Sequence, residues 1–270
     1  MKHLVLLLTF LLSAVPASAQ APRRVVTVNL CLDQIALRLA APGQLAGVSY
    51  LSHDPRLSAL VDRARRVPTV RAQAESILEL RPDLVIFDRD AHATVKRMVQ
   101  MAGIAILEVP WAASLADAEQ LVTQIGSALG RVAEAQAVVA DMREQRRRLA
   151  WPGPPTALAA VLQANRGTAG AGSLMDELLQ LAGYRNLAAE LGIPAYGRLS
   201  LEAVLAGQPD LLVLDGAANA NPARATEFVD HKALLALTGR TRLLSVPIKS
   251  SICAGPENFE VVRLLTEARR

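Results

Sequence analysis

One stretch of this chain occurs twice, and the repeat narrows the fold more than any other feature. Residues 71–88 (RAQAESILELRPDLVIFD) lie over residues 198–215 (RLSLEAVLAGQPDLLVLD) without a gap, with Arg, Glu, Leu, Pro, Asp, Leu and Asp recurring at a constant offset of 127 residues. In each copy a glutamate, Glu75 or Glu202, opens a short helix that Pro-Asp ends, because the residue before a proline is pushed out of the helical region. The apolar, β-branched run that follows is the pattern of a strand buried on both faces. The repeat predicts an α/β fold of two similar lobes with parallel-type sheets, each lobe presenting the same carboxylate at the same place.

The first residues predict export. Lys2 and His3 precede an apolar run from Leu4 to about Val15, and Ala17-Ser18-Ala19 stands before Gln20, which is the layout of a secretory signal peptide over 1–19. The run falls short of the roughly 20 residues that span a bilayer. A lipid anchor needs a cysteine directly after such a run, whereas the first one here, Cys31, lies beyond Arg23-Arg24. A free periplasmic protein, soluble after cleavage at residue 19, is expected.

The rest exceeds the usual size of one domain, and the pattern divides it into a lobe over 20–130, a linking helix over 131–151 and a lobe over 152–270. In the first lobe, strands over 25–30, 45–50 and 104–109 alternate with helices over 32–40 and 94–102, and Ser114-x-x-Asp117 caps a helix running toward Gly130. Residues 132–150 contain neither Gly nor Pro and predict one unbroken helix of about 28 Å. Trp151-Pro-Gly-Pro-Pro155 stops it, so the link is a rigid strut rather than a flexible tether. The second lobe reads as a strand over 157–163, a Gly-rich turn over 166–173, helices over 174–182 and 226–237, a strand over 242–246 and a closing helix over 258–268. Met175-Asp176-Glu177 echoes Leu32-Asp33-Gln34 and extends the duplication.

Glu-x6-Pro-Asp-Leu, present twice across a long linking helix in an exported chain, resembles the substrate-binding proteins of ABC importers for cobalamin and ferric siderophores. Asn29-Leu-Cys-Leu-Asp-Gln34 and Cys253-Ala-Gly-Pro256 resemble one branch of that family. The resemblance implies two lobes joined by a single backbone helix, a cobalt or iron chelate bound between them, and no cofactor beyond that ligand. It implies an ABC permease and its ATPase as partners of a monomeric receptor, with Glu75 and Glu202 docking onto permease arginines. Two separated carboxylates would give a two-point, salt-sensitive register. The alternative for both glutamates is an ordinary place at a helix N-terminus, worth a few tenths of a kcal/mol. Tyr196 matches a place where cobalamin-binding relatives carry a cleft tryptophan, while the first lobe has Thr69 there.

Ligands of open α/β sheets sit beyond the carboxyl ends of the strands. Tyr50, Trp111 and the Gly-rich turn fall at such ends, in a chain with few aromatics, so Tyr50, Trp111 and Tyr196 are candidate ligand residues beside packed or rim roles. Arg71, Arg166 and Arg198 suit an anionic chelate, a ferric carboxylate siderophore or heme propionates; the alternative is pairing with neighbouring acids. The Gly-rich turn lacks the Gly-Lys-Ser/Thr of a phosphate-cradling loop. Cys31 and Cys253 are either a disulfide or two separate buried thiols.

Other classes fit less well. Capture of a bare metal ion needs convergent His and carboxylates, and His53, His92 and His231 are widely spaced. Arg143, Arg146, Arg147 and Arg148 read as a solvated helix end rather than a nucleic-acid surface. No nucleophile elbow or dinucleotide fingerprint is present, which favours a binding protein over an enzyme. A heme receptor of the same type, or a chelatase-like enzyme on a related bilobed fold, remains the alternative.

Overall fold

The computed structural model describes residues 20–163, 166–215 and 240–269. The signal peptide predicted over 1–19 and the helix predicted over 226–237 lie outside them.

The first lobe is built on five parallel strands, β1 (Val25–Thr27), β2 (Leu45–Ser49), β3 (Thr69–Val70), β4 (Leu84–Asp88) and β5 (Ala105–Val109), in the order β3-β2-β1-β4-β5. The second contains β6 (Ala157–Leu162), β8 (Tyr184–Asn186), β10 (Leu211–Asp215) and β11 (Arg242–Val246), also parallel, in the order β11-β10-β6-β8. A short antiparallel ribbon joins β7 (Gly167–Thr168) to β9 (Gly197–Arg198). Strands β2-β1-β4-β5 and β8-β6-β10-β11 follow one another in the same way, so the sequence repeat is also a repeat of topology.

The repeated Pro-Asp has a physical role in this sheet. The Asp83 carboxylate accepts from the backbone N–H groups of Arg23 and Arg24 at 2.7 and 3.0 Å, and that of Asp210 accepts from Leu158 at 2.7 Å. Each aspartate therefore pins the amino end of its lobe's central strand, β1 or β6, beside β4 or β10.

The helices cover both faces of each sheet. Leu84 and Ile86 of β4 turn toward α1 (Leu30–Leu39), α5 (Leu115–Ala128) and α6 (Val132–Leu149), while Val85 and Phe87 turn toward α3 (Ala74–Glu79) and α4 (Ala93–Met101). A further short helix, α2 (Val61–Ala64), packs with α1 and β2. In the second lobe Ala159 and Val161 of β6 join the cluster of α7 (Leu174–Leu181), and Ala160 and Leu162 face α8 (Leu187–Glu190) and α9 (Leu201–Gly207). After β11 come α10 (Ile248–Ser251) and α11 (Asn258–Arg269). The cluster that holds α1, α5 and α6 also holds α7 and α11, so one apolar core runs under both lobes.

The linking helix forms over 18 residues and buries Ala135, Val139 and Met142, spaced to share one face, against that core. It approaches α5 so closely that a Cβ on Gly126 would stand 2.3 Å from the Ala135 Cβ. Its arginines are matched by acids: Arg143 with Glu119 and Arg146 with Glu177, both at 2.8 Å, and Arg147 and Arg148 with Glu144.

Element boundaries differ from the sequence expectation by one to three residues, most of all around α1. Strand β1 ends at Thr27 and α1 begins at Leu30, because Asn29 caps the helix by accepting from the Cys31 N–H at 2.7 Å and the Leu32 N–H. Strand β2 ends at Ser49, and Tyr50 opens a 3₁₀ turn to His53.

Candidate binding site between the lobes

A cavity of about 420 Å³ opens at the carboxyl ends of both sheets. The loop after β5 supplies Trp111 to Ala113, the end of β6 supplies Gln163, and the Gly-rich turn with the start of α7 supplies Ala169 and Ser173 to Met175. Tyr196, just ahead of β9, and Ile248, Ser251, Ile252 and Ala254 around α10 complete the wall. Among the described residues the wall carries no charged side chain. Trp111 is 52% exposed and Tyr196 68% exposed, so both rings have faces for a ligand to cover. Two cavities of similar volume, about 440 and 460 Å³, lie at the amino ends of the strands, away from the rim where parallel sheets place ligands.

Local hydrogen bonds hold the wall. Ser114 Oγ accepts from the Asp117 N–H at 3.0 Å while Asp117 accepts from the Ala113 N–H at 3.1 Å, which fixes the loop carrying Trp111. The start of α5 is also held from the other lobe, where Glu177 of α7 accepts from the Leu115 N–H at 2.9 Å and pairs with Arg146 of the linking helix. Cys31 of α1 is joined to Cys253 by a disulfide with the Cα atoms 5.3 Å apart, and an Arg38–Glu257 ion pair ties the same two elements. Cys253 lies between the wall residues Ile252 and Ala254, so the bridge stands at the edge of the cavity.

The wider rim carries charge. The Arg71 guanidinium lies 4.9 Å above the centre of the Tyr50 ring, a cation–π contact between two exposed residues. Arg198 sits opposite Gly167 in the β7–β9 ribbon, and the Arg166 carbonyl accepts from the Leu199 N–H at 3.1 Å. Glu75 and Glu202 are exposed in the first turns of α3 and α9. The Glu202 carboxyl is held below its usual range by its own backbone N–H, then by the Ser200 hydroxyl and the charge of Arg166.

The sequence profile described as periplasmic binding protein matches residues 25–238. The chain belongs to the periplasmic binding protein family. Solved structures of two-lobed relatives share its fold. A periplasmic heme-binding protein from Pseudomonas aeruginosa is 24% identical with a TM-score of 0.71, covering 92% of each chain. The heme-binding HutB of Vibrio cholerae is 19% identical with a TM-score of 0.74, over 90% of this chain and 97% of that one. The vitamin B12-binding BtuF of Vibrio cholerae is 19% identical with a TM-score of 0.67, over 92% and 96%. No curated protein sequence matches the chain.

In this periplasmic binding protein the predicted residues fall into two groups. Trp111 and Tyr196 are brought from different lobes into one cavity. Tyr50, Arg71, Arg166 and Arg198 stand outside its wall, the first two stacked on each other. Sequence reasoning passed over Ile248 and Ile252, which look like ordinary core residues, and noted Met175 and Glu177 only for their echo of the first lobe. It noted Asp33 only as an echo.

Asp33 is fully buried, with the Thr27 hydroxyl, the Ser52 hydroxyl at 2.6 Å and the Ser49 N–H at 2.9 Å donating to it. Burial outweighs these donors and pushes its carboxyl from 3.8 up to about 7. The folded state therefore holds a proton that the unfolded chain has released, so this contribution to stability is full below about pH 4 and is lost as the pH rises through 7. The melting temperature is expected to fall between about pH 4 and 7, and Asp33→Asn to flatten that slope. Equal slopes in differential scanning calorimetry of the two proteins would contradict the assignment.

Proposed function

We propose that this periplasmic binding protein captures a metallated tetrapyrrole, a corrinoid or heme, between its lobes and delivers it to an ABC permease. The carrying observation is the uncharged cavity into which Trp111 and Tyr196 expose their rings from opposite lobes, beside Met175, Ile248 and Ile252. Large, flat, apolar faces suit a macrocycle, and aromatic rings add about 0.5–1.5 kcal/mol each beyond the area they cover. A bare ion would find no His, Cys or carboxylate among the described residues of that wall. The fold shared with heme- and vitamin B12-binding proteins supports the same class.

Acidic groups at the edge of such a ligand would reach the rim, where Arg71 and Arg198 have no acidic partner among the described residues. Those arginines also favour a second reading, a ferric siderophore with carboxylate groups. In either case Glu75 and Glu202 dock the monomeric receptor on its permease, which the partner ATPase drives. Cleavage after residue 19 leaves the receptor soluble in the periplasm, and its role is binding rather than catalysis.

Tryptophan fluorescence tests the reading. The chain has two tryptophans, and Trp151 is stacked under the Arg269 guanidinium at 3.9 Å, outside the cavity wall. Titration of residues 20–270 with cyanocobalamin and with hemin is expected to give saturable one-to-one quenching by one of them. Trp111→Phe removes most of the quench, and Trp111→Ala weakens binding by about tenfold or more, roughly 1.4 kcal/mol. Saturable binding of ferric citrate or ferrichrome with no response to either tetrapyrrole would overturn the proposal in favour of the siderophore.

A further inference from the structure

The duplication includes a pair of buried aspartates that neither the ligand site nor the docking glutamates use. Asp33 and Asp176 lie in the first turns of α1 and α7, the helices that follow the central strands β1 and β6. An acidic residue there ordinarily faces water and gains modestly from the helix dipole. These two are 0% and 6% exposed. Burying a carboxylate costs far more than the dipole returns unless hydrogen bonds compensate, so the dipole alone does not account for their positions. Nor are they the caps, which are Asn29 and Ser173.

Beside Thr27 of β1, which donates to Asp33, and Gln180 of α7, which donates to Asp176 Oδ2 at 3.1 Å, the compensation comes from loops at the cleft. Asp33 Oδ2 accepts from the Ser49 N–H and the Ser52 hydroxyl, on either side of Tyr50, and so holds the turn on which Arg71 is stacked. Asp176 Oδ2 accepts from the Gly172 N–H at 3.1 Å, and its Oδ1 accepts from Asn186 Nδ2, also at 3.1 Å. The same Asn186 amide donates to the Ala169 carbonyl at 2.9 Å, so both ends of the Gly-rich turn that gives Ala169 and Ser173 to the cavity are tied to one carboxylate and its partner.

We propose that Asp33 and Asp176 are matched positioning residues, each using the buried first turn of a helix to fix the loop its lobe presents to the ligand. This rests on the cleft being the ligand site. The partners differ in a way that separates positioning from mere burial. An asparagine at 33 can turn its oxygen to Ser49 and Ser52 and donate its amide to the Thr27 hydroxyl, which accepts as readily as it donates. An asparagine at 176 can satisfy Gly172, but its amide then meets the Asn186 amide, donor against donor.

Hydrogen–deuterium exchange on the ligand-free protein tests this directly. Asp176→Asn is expected to speed exchange of segment 168–174 by about tenfold or more without a matching change in β6, whereas Asp33→Asn leaves segment 48–53 within about twofold of wild type. Asp33→Ala, which removes the acceptor, speeds segment 48–53 by about tenfold or more. Unchanged exchange of 168–174 in Asp176→Asn, or acceleration spread evenly over the lobe, would sink the proposal. Cyanocobalamin and hemin titrations add a second arm, in which the probe that binds wild type is expected to bind Asp176→Asn at least fivefold more weakly. If wild type binds neither, the tetrapyrrole reading falls while the exchange data still decide the role of the aspartates.

Discussion

Replacing Cys31 and Cys253 together by serine is expected to lower the stability of the oxidised protein by about 5 kcal/mol, the largest effect of any pair of substitutions at the cleft. The bridge joins residues 222 positions apart, and the chain-entropy account makes the stabilisation grow with the logarithm of the loop it closes. Little local strain should offset this. Serine is close to cysteine in size, and Arg38–Glu257 still ties α1 to the segment before α11. The second effect is on binding, because Cys253 is flanked by Ile252 and Ala254 of the cavity wall. Losing the tie should widen the cleft and raise the dissociation constant. Urea unfolding of wild type and double variant, both without reductant, checks the energy. A difference below about 1 kcal/mol would mean that the bridge closes no significant loop in the unfolded chain.

Glu75→Ala with Glu202→Ala is expected to abolish uptake in cells carrying the cognate permease while leaving ligand affinity and melting temperature at wild-type values. Each helix runs antiparallel to the strand it feeds, so α3 and α9 both begin at the carboxyl-end rim, and both glutamates are exposed there. One core under both lobes, the disulfide and the Glu177 contacts hold the distance between them, so the pair is expected to act as a rigid two-point contact. Each single variant should lose about tenfold in uptake relative to wild type at physiological ionic strength and less at higher salt, where screening weakens the wild-type charge pairs too. Wild-type uptake by the double variant would leave these residues as ordinary helix N-terminal acids.

Much of this was legible in the sequence for identifiable reasons. Pro82-Asp83 and Pro209-Asp210 mark the entry to a buried strand because proline breaks the helix and aspartate pins the neighbouring strand's start. The unbroken apolar run of residues 84–87 marks a strand sandwiched between two apolar layers. Ser114 with Asp117, and residues 132–149 without Gly or Pro, fix two helices through bonds no more than four residues long. Even the small errors were local. Asn29 could have been read as a cap, which would have placed the start of α1 correctly.

The cavity was only half legible. Trp111 and Tyr196 stood out because aromatics are scarce, whereas Met175, Ile248 and Ile252 carry no mark that separates a wall from a core. Whether Cys31 meets Cys253, whether Glu177 reaches Leu115, and whether Arg71 finds Tyr50 instead of an acid are distances between points far apart along the chain. The duplicated α/β lobes and the matched carboxylates were set by the sequence itself, since periodicity, capping and proline stops act over a few residues, whereas the strand order is a matter of tertiary pairing. Tertiary structure alone decided which side chains share the cleft, because that depends on how five helices from both lobes pack into one core.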